Sequence, residues 1–278
     1  MRRITLTIFI FTLPLLSISS QGFNIPSKHW GISFGNSTRF DGIRFNLTDK
    51  DIEKINGINF NVWGAKDDAR QTGTVNGISI GIPAAMGTNY RNGINIGIFG
   101  AGARQDMNGI NIGGLGVGAG NNLIGLNIGG LGVGAGGDVV GLSIGGLAVG
   151  SGGSVKGLSM SILAVGSGEH VAGLSLAGLA VGGPKISGIQ AALIVRGEQV
   201  QGISIAPAYF RIEGPDGYMK GLSVSAFNHI EGEIFGVCIG IFNWAYAVRG
   251  FQLGILNHVK SNPKGLRWLP IFNTSFGS

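Results

Sequence analysis

A sixteen-residue repeat dominates the sequence. Units open at Gly93, Gly109, Gly125, Gly141 and Gly157, and each begins with glycine, an apolar residue, Asn or Ser, and a second apolar residue. A short fixed period means that each unit can bury its apolar side chains only against its neighbours. The chain is therefore predicted to form a linear array of units rather than a globule around one central core.

A single unit has the pattern of two short strands and two turns. Leu142 and Ile144 are two residues apart, as on one face of a strand, and so are Leu147 and Val149. The two pairs are out of phase by one residue, and Gly145-Gly146 lies where the phase changes, which indicates a bend that side chains would obstruct. Glycine inside a helix costs about 1 kcal/mol per residue, which argues against helices here. The predicted fold is all-β, a β-solenoid of about 16-residue coils.

Equivalent positions of successive units form columns of like residues. The third position changes type in blocks, which is typical of side chains stacked in parallel register; it comprises Asn95, Asn111, Asn127, Ser143, Ser159 and Ser175. We interpret these six as ladder or interaction positions. The apolar columns that contain Ile144 and Leu147 are expected to fill the core, so that Ile144→Asp would bury a charge.

The alternative is a transmembrane antiparallel β-barrel with one strand per unit. Uncharged segments of about ten residues and an aromatic-rich end that includes Phe276 favour it. Three features favour the solenoid instead. The residues that would face the lumen of a barrel are not polar, the turns and loops do not alternate between short and long, and the apolar pattern changes phase within each unit.

The repeat becomes less regular towards both ends, as terminal units must face water. Its signature extends from Gly31 to Gly265, sixteen units that would stack to about 75 Å at about 4.8 Å each. We divide the chain into a signal peptide (1–21), charged capping units (22–76), a regular glycine-rich array (77–220) and aromatic-rich repeats (221–278). The pattern from Thr48 to Lys54 also suggests a short capping helix at 48–55.

The N-terminal segment has the features of a secretory signal. Arg2 and Arg3 precede an apolar stretch from Ile4 to Leu16, and small residues follow it. This predicts export through the inner membrane of a bacterium. The net charge of +6 is dispersed, which argues against nucleic acid as a partner.

Other chemical signatures are weak. Gly132–Gly137 matches a nucleotide-binding glycine motif, but no surrounding strand–helix–strand pattern supports that function. The four histidines do not have metal-ligand spacing, and Cys238 occupies a third position of the repeat, where a small side chain is expected. We predict no catalytic residues, no metal and no cofactor, and therefore no enzyme.

Aromatic residues concentrate after position 208. The simplest interpretation is that they fill wider terminal coils. The alternative is that Trp244, Tyr246 and Trp268 belong to a docking surface or a membrane-interface belt, because such side chains suit boundaries between apolar and wet regions.

Three C-terminal segments carry a family resemblance: Gly236-Val-Cys-Ile-Gly-Ile-Phe-Asn243, Gly250-Phe-Gln-Leu-Gly-Ile-Leu-Asn257 and Asn262-Pro-Lys-Gly-Leu-Arg-Trp-Leu-Pro-Ile-Phe-Asn273. They resemble a bacterial exported surface-repeat family of leptospiral type. The central block departs from it by losing the Asn at the eighth place. The resemblance implies export and a setting at the cell surface or outer membrane of a diderm bacterium, and it transfers no catalytic residues.

Together these features predict a non-enzymatic surface repeat protein of the cell envelope. Its role would be structural, adhesive or one of interaction with an unidentified envelope partner. The alternative function is that of an outer-membrane β-barrel or pore.

Overall fold

The protein is a β-solenoid. A computed structural model describes residues 22–63 and 72–276, and the predicted signal peptide lies outside these ranges. Consecutive units pair in parallel and in register, for example Gly125 with Gly141 and Asn127 with Ser143. This register confirms the predicted solenoid of about sixteen-residue coils. The alternative fold, an antiparallel β-barrel, was wrong because it required antiparallel pairing between consecutive units.

Each central coil contains one long and one short strand. The long strands form one sheet, the long-strand sheet: β2 (Trp30–Phe34), β3 (Arg39–Thr48), β4 (Lys54–Trp63), β5 (Thr74–Gly81), β7 (Tyr90–Gly97), β9 (Met107–Gly113), β11 (Leu123–Gly129), β13 (Val139–Gly145), β15 (Ser154–Ser161), β17 (His170–Ala177), β19 (Lys185–Ala191), β21 (Gln199–Ile205) and β23 (Tyr218–Val224). The short strands stack as the short-strand sheet: β6 (Ala84–Ala85), β8 (Gly100–Ala103), β10 (Gly116–Ala119), β12 (Gly132–Ala135), β14 (Ala148–Ser151), β16 (Ala164–Ser167), β18 (Ala180–Gly182), β20 (Ile194–Gly197) and β22 (Tyr209–Ile212). Gly132–Gly137 thus belongs to β12 and the corner after it.

The two ends of the rod differ from the middle. At the N-terminus β1 (Phe23–Pro26) pairs antiparallel with β2. At the C-terminus the long strand β24 (Phe227–Val259) runs through the last coils and pairs antiparallel with β25 (Trp268–Asn273). Gly265 lies in the short 3-10 helix η1 (Lys264–Leu266), so it does not open a coil as we predicted. The predicted helix at 48–55 was also wrong, because those residues form the end of β3, an irregular corner and the start of β4.

The glycine that opens each coil is required by backbone geometry. Gly141 has a φ of 110°, and a Cβ placed on it would lie 2.3 Å from the carbonyl oxygen of Gly125. The same left-handed geometry recurs along the column from Gly31 to Gly250. Each coil therefore lies directly on the previous one at this point, and any side chain would separate them.

The interior consists of one apolar and one polar column of the long-strand sheet, together with the inward side of the short-strand sheet. Val139, Val155 and Val171 are typical of the apolar column, and Val149 and Val165 of the short-strand sheet; all are buried. The polar column is the third position of the repeat, and its residues are also buried. The residues on either side of it, Leu142 and Ile144, therefore face outward. Our assignment of the Ile144 column to the core was wrong, because it inverted the inner and outer faces of this strand.

Candidate functional site

The outer side of the long-strand sheet is apolar over most of the rod. The first and third residues after each column glycine point outward, and from Ile78 to Ile239 they are Ile, Leu, Met, Val or Ala. Ile144 is 36% exposed even though the same column covers it above and below. We call this surface, together with the corner leucines described next, the apolar face.

The corner after each long strand extends the apolar face. Leu147 is 43% exposed and lies in the bend between β13 and β14, so it does not share a strand face with the buried Val149 as we expected. Its backbone nitrogen donates to the carbonyl of Leu131, and that of Leu163 donates to Leu147. Stacking at the corner therefore repeats the same exposed leucine from coil to coil.

A groove runs along the apolar face parallel to the rod axis. It has a volume of about 690 Å³, and Ile144, Met160 and Leu176 form one wall. Small residues such as Gly145, Gly146 and Ala177 also line it, and Ile162, Leu193 and Pro207 line it from the corner that contains Gly146. Glycine is not required at this corner, because the column that holds Gly146 and Gly178 holds Ile162 in the coil between them. The groove is open where the corner residue is glycine and leaves space that a side chain would fill.

The rest of the coil perimeter has a different chemistry. The short-strand sheet presents glycine and alanine outward along its central coils, at positions such as Gly134, Ala148 and Gly150. Charged side chains lie at the corner that follows it, where Lys156 Nζ contacts Asp138 Oδ2 at 2.7 Å. That contact and the backbone N–H of Ser154 lower the pKa of Asp138. The coil is therefore amphipathic in cross-section.

The six predicted ladder residues lie inside the rod. The amide nitrogen of Asn95 donates to Asn111 Oδ1 and that of Asn111 to Asn127 Oδ1, both at 2.8 Å, while Asn127 donates to Ser143 Oγ at 3.3 Å. Ser159 and Ser175 continue this buried column. Hydrogen bonds thus link the four residues from Asn95 to Ser143, and a partner outside the rod cannot contact any of the six buried side chains.

Cys238 occupies the same interior column, beside Ser223 of the previous coil. It is fully buried, and burial raises the pKa of its thiol. A thiol in this setting is inert because the reactive thiolate does not form.

Sequence reasoning missed a second asparagine ladder, on the outside of the rod. The residue before the column glycine is Asn in four consecutive coils, Asn56, Asn76, Asn92 and Asn108, and Asn76 donates to Asn56 at 2.8 Å. Asn108 donates to Asn92, and Asn92 to Asn76, each at 2.9 Å. The signal was present as an Asn-Gly pair that recurs in these four coils.

The aromatic C-terminal end forms an outward-facing cluster. His258 packs between Trp244 and Trp268, with ring centroids 5.7 Å and 4.2 Å away. Trp268 is half exposed, and Tyr246 lies apart from the cluster, with Lys260 Nζ 5.8 Å from its ring centroid. Our interpretation that the aromatic residues fill wider coils was wrong for these side chains, because they lie on the surface.

Burial and nearby cations set the protonation of this cluster. Burial lowers the pKa of His258, and Arg267 and Lys260 lower it further. His229 packs edge-on against Trp244, and its pKa is lowered by burial and then by Arg211. Both imidazoles therefore favour the neutral form.

A buried ionic cluster near the N-terminal end was also missed. Arg44 and Arg91, both fully buried, contact opposite oxygens of the buried Asp49 at 2.6 Å and 3.3 Å. Asn59 donates to the same carboxylate at 3.0 Å. Burial alone would raise the pKa of Asp49, but the two guanidinium groups outweigh it and hold that pKa below its usual value. The sequence feature that could have revealed the cluster is Arg91. It occupies a core position that Val75 and Met107 occupy in the adjacent coils.

Metal and membrane-helix sites are absent from the described ranges. Within residues 22–63 and 72–276, His, Cys, Asp and Glu do not gather in any group of three that could hold a metal ion. No helix in this part of the chain is long and apolar enough to cross a bilayer.

The apolar face is therefore the feature with the clearest functional implication, since exposed apolar patches beyond a few hundred Å² mark interaction surfaces. Comparisons with protein-family models, curated proteins and solved structures found no match for this chain.

Proposed function

We propose that this protein is a non-enzymatic structural protein of the bacterial cell envelope, a rod that associates with its partner through the apolar face. The observation that carries the proposal is the outward position of three adjacent apolar columns, which include Ile144, Leu142 and Leu147. Leaving them in water would be costly, because about 25 cal/mol is gained for each Å² of apolar surface that is buried.

The distribution of polar groups supports a role without catalysis. The groove on the apolar face is lined almost wholly by hydrocarbon side chains, and Ser161 is the one hydroxyl residue among them. The buried Arg44–Asp49–Arg91 cluster is enclosed by the coils, where no substrate has access. The charged corner near Asp138 lies at the edge of the apolar face, where Lys156 is its ion-pair partner. Nucleophile, base and orienting group do not converge at any of these places.

The envelope setting rests on two sequence features. Arg2, Arg3 and the apolar stretch that follows them support export. The resemblance of residues 236–243 and 250–257 to the leptospiral-type surface repeats supports a surface or outer-membrane setting. Association through an apolar face suits a structural role there.

Site-specific photo-crosslinking in a diderm bacterium tests this function. A photoreactive amino acid is placed at Leu131, Leu147 or Leu163 on the apolar face, and as a matched control at Ala148 or Ala164 on the short-strand sheet. The full-length chain is expected in the envelope fraction, with adducts from the leucine positions and none from the alanine positions. Recovery of the chain in the cytoplasm, or equal adduct yields from both sets, would refute the proposal.

A further inference from the structure

We propose that the apolar face is covered by a second copy of the same chain, packed face to face with the two rods parallel. This inference rests on the proposed function, because it names the partner of the same surface. Four properties of the apolar face support a second copy as its partner: its area, the chemistry of its groove, the charges along its edges and its symmetry.

The area of the face matches the requirement of a stable dimer. Between Ile78 and Ile239 it spans eleven coils, roughly 50 Å at about 4.8 Å per coil, and about 16 Å across at about 3.3 Å per residue. Its area is therefore about 800 Å², which equals the surface that each partner contributes to a typical stable interface. Packing of two flat sheets about 10 Å apart is also the ordinary way in which sheets bury such faces.

The groove excludes an extended peptide as its occupant. The backbone groups of each coil form hydrogen bonds along the rod axis with the preceding and following coils. For example, the backbone N–H of Ile162 donates to the carbonyl of Gly146. The face therefore offers no free backbone edge for an added strand. A peptide lying in the groove would leave its own amides unpaired in an apolar setting, which is costly. A ridge of side chains has no such groups.

The edges of the face do not suit a lipid surface. Membrane-surface proteins flank their apolar side with basic and aromatic residues. Along the edge before the column glycine, the coils from Gly77 to Gly236 carry Asn, Ile, Val, Ala, Ser or Gln, except for two cations, Lys156 and Lys220, and one aromatic residue, Phe235. The aromatic cluster around Trp244 and Trp268 lies at one end of the rod and on the short-strand side. A partner with the same uncharged surface matches the face better.

Symmetry selects the parallel arrangement. The outward side-chain columns of the face run along the rod axis. A two-fold axis perpendicular to the rod would set each ridge against the same ridge of the partner. A two-fold axis parallel to the rod, which relates two parallel copies, exchanges the left and right edges of the face. The ridge of Ile144, Met160 and Leu176 can then enter the partner's groove. This contact is isologous and closes on itself.

Light scattering of the purified protein tests the dimer. Wild type is expected at twice the chain mass, and the triple variant Leu131→Glu/Leu147→Glu/Leu163→Glu at the monomer mass. The matched control, Ala148→Glu/Ala164→Glu/Ala180→Glu, adds the same charge to the short-strand sheet and should remain dimeric. Circular dichroism of each variant verifies that the solenoid is folded. A monomeric wild type, or dimers of equal stability in all three, would overturn the inference.

Spin-label distances test the orientation. In a Cys238→Ser background, labels at Lys54→Cys or at Lys264→Cys should each give a short distance between copies. An antiparallel dimer would separate either pair by roughly 60 Å, given about 4.8 Å per coil, and would overturn the parallel arrangement.

A vesicle assay separates this inference from the proposed function. The wild type is floated with phosphatidylethanolamine–phosphatidylglycerol vesicles, and no binding is expected of a dimer. A monomer that binds these vesicles through the leucine positions would overturn the second copy but leave the proposed function standing. If the leucine positions also give no adducts in cells, both proposals fail.

Discussion

Asn111 donates from its side-chain amide to Asn127, one coil further along the rod, and accepts from Asn95, one coil behind, with both hydrogen bonds 2.8 Å long. The amide dipoles thus align along the axis inside a fully buried column. Such chains of hydrogen bonds polarise one another in a low-dielectric interior. The ladder links coils through side chains in addition to the backbone, and it makes each member dependent on its neighbours.

Replacement of Asn111 by Leu should therefore destabilise the rod. The change leaves a donor on Asn95 and an acceptor on Asn127 unpaired, and each such buried group costs about 1–3 kcal/mol. We expect a loss of about 2–4 kcal/mol, measured by urea unfolding. Asn108→Leu in the outer ladder of the same coil is the control, since water can replace its partners, and should cost less than about 1 kcal/mol. Equal losses would contradict the assigned inner and outer faces.

The inner and outer faces of β13 give a second test. Ser143→Asp places a carboxylate in the buried column, where no cation lies beside it, and should cost at least about 3 kcal/mol. Ile144→Asp places the same group on the apolar face and should cost much less in the monomer. Thermal unfolding of both variants, in the background of the triple Leu→Glu variant, compares them without dimerisation. A larger loss for Ile144→Asp would restore the orientation we first expected.

The column glycine can be compared with a second glycine in the same coil. Gly141→Ala forces a Cβ to 2.3 Å from the Gly125 carbonyl oxygen at a φ of 110°, whereas the nearest atom to a Cβ on Gly150 is 3.8 Å away. We expect Gly141→Ala to cost about 3 kcal/mol or more, and Gly150→Ala to be neutral or to stabilise by up to about 1 kcal/mol. Similar midpoints of chemical denaturation for the two variants would contradict the stacking geometry.

Stability at low pH should depend on Asp49. Its pKa in the folded protein lies below the usual 3.8, so its stabilisation is complete above about pH 4 and is lost as the pH falls through the lower folded value. Asp49→Asn leaves two buried guanidinium groups without a counter-charge and should cost about 3–5 kcal/mol at pH 7. It should also flatten the acid limb of the stability curve. Asp138→Asn, in a surface pair, should cost about 0–1 kcal/mol; a comparable loss there would argue against the buried cluster.

Tryptophan fluorescence should report the titration of His258, which contacts Trp244 and Trp268. Because burial lowers the pKa of this imidazole, the signal is expected to change below pH 6.5 rather than at it. The neutral ring stabilises the fold above that pH, and this stabilisation is lost as the pH falls through the folded pKa. His258→Phe should remove the fluorescence step. Its persistence in that variant would assign the step to another group.

The repeat predicted the solenoid because its fixed period places equivalent residues of successive coils in register, so that like side chains stack. The bend at Gly145-Gly146 followed from the phase change of the apolar pattern. The repeat did not predict which side of the strand faces inward. Because Leu142 and Ile144 are apolar, we assigned them to the core. The interior instead accepts Ser143, because its hydroxyl accepts a hydrogen bond from Asn127 of the adjacent coil.

The candidate surface was hidden for the same reason. In a strand that alternates apolar and small polar residues, the apolar side is normally assigned to the core. That rule fails here, because the polar side of the strand faces the interior. The ionic cluster was missed because its members, Arg44, Asp49 and Arg91, lie far apart in sequence and meet only through coil stacking. A comparison of each coil with its neighbours shows Arg91 as an exception in an apolar column, and that was the available clue.

The uniform register between coils has a consequence for how such a chain can vary in length. Residues 109–124 form one coil whose pairings above and below are identical in kind. Loss of that segment would bring Gly125 onto Gly93 with every column intact, and duplication would add a coil with equal ease. Genetic changes in steps of sixteen codons should thus shorten or lengthen the rod without a new fold, so that its reach is an evolvable property separate from its ends.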